Sequence, residues 1–331
     1  MSEHLLEIEN LRVSYQIYAG EVQSVRGISF SLEAGEILAI VGESGCGKSV
    51  TAKSVMRLIH APGAILPGSH IYYKGEDVLT FDERRLAAFR GGEGSIIFQD
   101  ALTSLNPTMT VGNQIVENIR HHRNVSRAEA KKEAVELLKK VGLSEPDRRF
   151  RQYPHELSGG MRQRVMIAIA FANRPKILIA DEPTTALDVT IQAQIMDLIK
   201  ALAREEGTAV ILITHDMGVV ANVAERIVVM YAGKIVEQGD ADSIFYRTAH
   251  PYTEILLAAV PRLDLNREEE LTAIRGTPPD LINPPAGCAF CTRCGRTMEV
   301  CLREEPEMLP LGETHQAACF LLTQARQTGS A

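Results

Sequence analysis

The chain has 331 residues, 45 % of them apolar and 23 % charged, with a net charge of −7. That length and apolar share support one large domain with an extension, or two domains, and argue against disorder. An acidic balance gives no support for a nucleic-acid partner, which normally needs a basic face, and no apolar run approaches the ~20 residues of a bilayer span. Met1–Asn10 is polar and acidic, without the apolar stretch of a secretory signal, so the expectation is a soluble chain whose membrane contacts go through partners.

In chain order, Leu5–Leu32 alternates apolar and polar residues around Ala19-Gly20 and predicts an antiparallel hairpin. Glu36–Val41 reads as a buried strand, followed by glycines and a helix over Lys48–His60. Pro62–Pro67 reads as a turn-rich break. Ser69–Tyr73 and Gly94–Gln99 read as strands. Val111–Arg123, Arg127–Val141 and Ser158–Ala172 carry apolar residues at helical spacing. Strand and helix then alternate: Ile177–Ala180, Thr190–Glu206, Ala209–Thr214, Met217–Ala224, Arg226–Tyr231. That alternation predicts a parallel sheet covered on both faces, with the helical segment as an insertion. A proline-rich stretch, Gly276–Gly287, precedes a cysteine-rich tail.

Gly42-Glu43-Ser44-Gly45-Cys46-Gly47-Lys48-Ser49 fits the phosphate-loop pattern G-x-x-x-x-G-K-[ST] between a strand and a helix. Glycines let backbone N–H groups wrap phosphates, and the helix N-terminus favours an anion. Lys48 supplies a point charge to the β- and γ-phosphates, and Ser49 a hydroxyl ligand to Mg²⁺. The ATP-binding set is Gly42, Glu43, Ser44, Gly45, Cys46, Gly47, Lys48, Ser49 and Val50. Cys46 occupies a variable loop position and is expected to be inert toward catalysis, although a thiol at a helix N-terminus can be reactive. Downstream, the apolar strand Ile177–Ala180 ends in Asp181 and Glu182, the first suited to hold Mg²⁺ and the second to polarise a water. His215 and Gln99 each follow a strand. A lone His or Gln there is ordinarily structural or solvated.

Leu157-Ser158-Gly159-Gly160-Met161-Arg162-Gln163-Arg164 resembles the signature motif of ATP-binding cassette (ABC) ATPases. The motifs run in that family's order: phosphate loop, Gln99, signature, Asp181-Glu182, Ala186-Leu187-Asp188, His215. The resemblance spans roughly Leu5 to Cys319. It implies a RecA-like P-loop α/β nucleotide-binding domain with an antiparallel β subdomain, a helical insertion and a small cysteine-rich extension. The boundaries drawn are an ATPase domain over 1–250, with the helical part at about 101–172, and an extension over 251–331.

The resemblance further implies that two cassettes pack head to tail. Glu182 is then the general base, His215 contacts the γ-phosphate, and Gln99 contacts Mg²⁺, as do Ser49 and Asp181. Ser158, Gly159, Gly160 and Gln163 face the partner's ATP, and Asp188 couples the two sites. The aromatic that stacks on adenine is Tyr15, with Tyr18 the rival. Ile97–Pro107, Pro183–Gln194 and His250-Pro251-Tyr252-Thr253 resemble the oligopeptide/dipeptide importer branch, whose features nickel importers share. That branch implies two transmembrane permease subunits, a homologous second ATPase, an extracytoplasmic substrate-binding protein and a place on the cytoplasmic face of the membrane. A soluble, non-transport ABC ATPase is the other class considered. Such chains usually carry two cassettes, coiled coils or basic arms, none of which is seen here.

The tail has the spacing C-x2-C-x2-C-x6-C-x17-C. Four thiolates suit a [4Fe–4S] cluster or tetrahedral zinc. The resemblance selects iron–sulfur on Cys288, Cys294, Cys301 and Cys319, with Cys291 as a possible substitute.

Overall fold

The computed structural model describes residues 4–185, 188–259 and 276–323, less the side chains of residues 101, 102 and 189. Ala186 and Leu187, which belong to the motif quoted around Asp188, lie outside the described residues.

The chain begins with three strands: β1 (Leu6–Ile17), β2 (Gly20–Leu32) and β3 (Ile37–Val41). Helix α1 (Lys48–Val55) is followed by short strands β4 (Gly63–Ile65), β5 (His70–Tyr73) and β6 (Glu76–Asp77). Next come α2 (Glu83–Phe89), β7 (Gly94–Ile97), α3 (Ala101–Ser104), α4 (Val111–His122), α5 (Arg127–Lys140), α6 (Pro146–Phe150) and α7 (Gly159–Phe171). The strand–helix alternation follows as β8 (Ile177–Asp181), α8 (Val189–Glu206), β9 (Ala209–Thr214), α9 (Met217–Val223) and β10 (Arg226–Tyr231). The remainder is β11 (Lys234–Asp240), α10 (Ala241–Tyr246), α11 (Pro251–Ala258), α12 (Glu299–Arg303), β12 (Leu309–Pro310) and β13 (Gln316–Ala317).

These elements fall into two units. The first comprises Met1–Ser31, Leu38–Leu79 and Thr214–Ala331; the second comprises Leu32–Ile37 and Thr80–Ile213. In the first unit β1 lies between β2 and β5, β6 follows β5, and β4 also pairs with β1. The expected break at Pro62–Pro67 is therefore partly a strand: Gly63–Ile65 pairs antiparallel with Val13–Tyr15. Gly63 permits this, because a Cβ there would stand 2.5 Å from the Tyr15 ring. The same unit carries β3 parallel to β10. Strand β11 runs antiparallel to β10, and β13 antiparallel to β11.

Strands β3 and β10 contribute Ala39, Val41, Ile227, Val229 and Tyr231 to one core. Ala289 and Phe290 of the cysteine tail are buried in that same core. The tail is thus continuous with the packing behind the phosphate loop.

Helix α1 is shorter than the periodicity suggests. Arg57 takes the left-handed conformation at φ 53, and Leu58 N–H turns back to the Lys53 carbonyl, which closes the helix.

In the second unit β7, β8 and β9 run parallel. Ile177–Asp181 is buried at every position, as a strand covered on both faces requires. Several helices open on side-chain caps. Ser126 and Glu129 form a reciprocal capping box on α5, and Asp188 accepts from Ile191 N–H at 2.9 Å on α8. Among the described residues, no helix is long and apolar enough to cross a membrane.

Candidate functional site

The phosphate loop joins β3 to α1. Gly42, Gly45 and Gly47 have φ of 150, 80 and 105, which L-residues rarely adopt. Two of the three also lack room: a Cβ on Gly42 would sit 2.2 Å from the Met230 carbonyl, and one on Gly47 would sit 2.5 Å from the Ser24 carbonyl. Gly45 has open space around it. The loop therefore presses its backbone against β2 and β10, leaving Ser44 and Gly45 exposed.

Lys48 is 5 % exposed. Its ammonium donates to the carbonyls of Gly42 and Glu43, at 2.7 and 2.9 Å. Thr51 hydroxyl and N–H both return to the Gly47 carbonyl and fix the first turn of α1. Cys46 is buried beside Lys48, and burial pushes its thiol up against the opposing pull of the ammonium.

Glu43 is anchored from the C-terminal region. Its backbone N–H donates to the Tyr252 hydroxyl at 2.9 Å. Its carboxylate takes two hydrogen bonds from Arg293, at 2.8 and 2.9 Å. Tyr252 lies in the His250–Thr253 motif and Arg293 between two cysteines of the tail, and neither position marks a role at the loop in the sequence.

In the second unit, β8 ends at Asp181, which is 4 % exposed and paired in register with Ile213. Glu182 has φ 47, a strained position for a carboxylate residue, and its N–H donates to the Ile213 carbonyl. Its carboxylate accepts from Gln99 Nε2 at 2.8 Å and from the Thr185 hydroxyl at 2.9 Å. The structure thus brings Gln99 and Glu182 together, a contact that the separate sequence readings of the two residues do not include. Thr185 joins them without having been singled out.

The signature residues divide. Ser158 and Gly159 are exposed, and the Ser158 hydroxyl caps α7 by accepting from Met161 N–H. Gly160 is half-buried, with Ile191 3.4 Å from the position of a Cβ. Gln163 is buried at 4 %, and its Nε2 has no hydrogen-bond partner among the described residues. Asp188 is exposed at the start of α8, and His215 is exposed just after β9.

The two tyrosines differ in setting. Tyr15 packs against Gly63, and burial raises its hydroxyl; Tyr18 stands fully exposed in the hairpin turn.

Cys288, Cys291, Cys294, Cys301 and Cys319 all line one cavity of about 20 Å³, and none is in a disulfide. Burial, helped by neighbouring thiols, pushes Cys288 up to about 11. Among the described residues no group of three or more His, Cys, Asp or Glu is set to hold a metal ion.

Comparison with known proteins agrees with these motifs. A model of the ABC transporter family matches residues 25–185, and a model of the oligopeptide/dipeptide transporter C-terminal region matches residues 236–301. The oligopeptide transport ATP-binding protein OppD of Bacillus subtilis is 54 % identical over 96 % of this chain and 89 % of its own length. The dipeptide transport ATP-binding protein DppD of the same organism is 52 % identical over 97 % and 96 %. Among solved structures, the dimeric ATP-binding cassette MJ0796 bound to ADP and Pi has a TM-score of 0.64 at 29 % identity. It covers 71 % of this chain and 98 % of that one. The chain belongs to the ABC transporter family, within its oligopeptide and dipeptide transport ATP-binding proteins.

Proposed function

We propose that this chain hydrolyses MgATP to drive uptake of di- or oligopeptides through a membrane transporter. The observation that carries the reading is Glu182. Its carboxylate stands at the end of a buried strand, in strained backbone, and is oriented by Gln99 and Thr185. A carboxylate so held suits a general base that polarises water. Lys48 would charge-neutralise the β- and γ-phosphates once they displace the loop carbonyls from its ammonium. Hard oxygen donors suit Mg²⁺, and Ser49, Asp181 and Gln99 are the ligands proposed. His215 would contact the γ-phosphate, and Tyr15 or Tyr18 would stack on adenine. Exposure of Ser158 and Gly159 favours their use on a partner cassette's ATP, with Gly160 beside them and Asp188 near the interface. Gln163, being buried, suits support of α7 rather than direct contact.

The names and identities of the relatives support peptide as cargo. Two permease subunits, a second homologous ATPase and an extracytoplasmic binding protein are the partners proposed, with the chain on the cytoplasmic face of the membrane. A nickel importer is the second reading. Replacing the cell's own copy with Glu182→Gln tests the first: uptake of a labelled tripeptide should be lost. Undiminished peptide uptake would sink it, and loss of nickel uptake alone would favour the second.

For the tail, five soft thiol donors around one cavity support a [4Fe–4S] cluster on Cys288, Cys294, Cys301 and Cys319, with Cys291 as substitute and zinc as the other candidate. Such a group would act as a structural clamp on a short segment. Anaerobic purification should give a brown protein with about four irons per chain, the stoichiometry of that cluster. Colourless protein carrying zinc would overturn iron.

A further inference from the structure

The geometry points to Arg293, on the cysteine tail, as a positioning residue for the phosphate loop: it fixes Glu43, and through Glu43 the loop shape that receives the nucleotide. This rests on the reading of Gly42–Ser49 as the nucleotide loop.

The Arg293 side chain is 4 % exposed, and that of Glu43 is 22 % exposed. A guanidinium removed from water needs a partner, and its planar fork matches a carboxylate through two bonds. Here both bonds reach Glu43, 250 residues away in the chain. The same nitrogen that reaches Glu43 Oε2 also donates to the Tyr231 hydroxyl at 3.1 Å, and the guanidinium carbon lies 5.7 Å from the Tyr231 ring centre.

Glu43 is then held at three points. Arg293 holds its carboxylate, Tyr252 accepts from its N–H, and its carbonyl accepts from Lys48. One side chain of the tail is thus two hydrogen-bonded steps from the loop lysine. Ser44 and Gly45, the next residues along, are exposed.

Docking of the tail does not require this pair. Phe290 already packs on Tyr231 and Tyr252, with ring centres 5.2 and 5.3 Å apart. An ion pair added to a complete aromatic contact, and aimed at the loop, is better explained by the loop's need for order. Pre-ordering a binding loop raises affinity by lowering the cost of fixing it later.

The test uses the full chain with Mg²⁺ and a fluorescent ATP analogue. Arg293→Ala and Glu43→Ala should each weaken affinity roughly tenfold, the scale of a lost charged hydrogen bond. The double variant should be no weaker than either single one. Arg293→Lys, with a compact ammonium in place of the fork, should recover only part of the loss. Affinity within twofold of wild type in Arg293→Ala, or losses that add in the double variant, would overturn the proposal even if the melting temperature fell. Where Arg293→Ala does not fold, Tyr252→Phe keeps the ring and removes only the hydroxyl. It should weaken affinity about threefold, a fraction of the tenfold effect of a charged bond, and unchanged affinity there would also overturn the proposal. Lys48→Ala separates the two readings. If it binds normally, the loop assignment fails; if it loses binding while Arg293→Ala does not, only the positioning role fails.

Discussion

Glu182 and Gln99 show what a single residue's setting adds to a motif. Sequence places an acid pair after a strand and a glutamine after another. The structure joins them by a 2.8 Å hydrogen bond onto a carboxylate at positive φ. Gln99→Ala should therefore lower turnover about tenfold or more, as loss of orientation does for a general base, and should lower it by more than it weakens MgATP affinity. Equal losses in affinity and turnover would instead place Gln99 in nucleotide binding. Asp240 offers a pH test. The Thr314 hydroxyl and Ser243 N–H donate to it and hold its carboxyl at about 2, below the ordinary 3.8. The folded pKa is the lower one, so the unfolded chain takes up the extra proton first as pH falls. The stabilisation is complete above roughly pH 4 and is lost toward about pH 2. Asp240→Ala should cost about 1 kcal/mol at pH 7 as a lost helix cap, with a smaller gap in Tm at pH 3. A gap unchanged between the two would show that the carboxylate charge contributes nothing.

At the scale of elements, the loop between β3 and α1 was legible because its constraint is local: glycines, a lysine and a hydroxyl at fixed spacing. The conformations at Gly42 and Gly47 bear that out, since each meets a carbonyl where a side chain would begin. Gly42→Ala should lower Tm by several degrees, the effect of ~2 kcal/mol of backbone strain in a chain of this size, and abolish ATP binding. Unaltered melting would mean that the loop relaxes freely. Other elements were not legible. Strand β4 spans three residues behind a proline and exists because Gly63 admits the Tyr15 ring. Strands β12 and β13 have two residues each, too few for any periodicity to register. The end of α1 depends on Arg57 taking a left-handed turn, which no pattern in Lys48–His60 marks.

At the scale of the whole molecule, the sequence draws the cysteine tail as an appendage, whereas Phe290 is 1 % exposed in the core behind the phosphate loop. The contacts responsible join residues far apart in the chain, and one sequence without covariation cannot reveal them. Phe290→Ala should cost about 3–5 kcal/mol, as for a large aromatic removed from a closed core. A loss under about 1 kcal/mol would restore the picture of a loosely attached tail. The catalytic claim is tested most directly by ATP turnover in the assembled transporter with Glu182→Gln. ATP binding should equal wild type while hydrolysis falls at least ~100-fold, the contribution of a positioned base. Hydrolysis near the wild-type rate would contradict it.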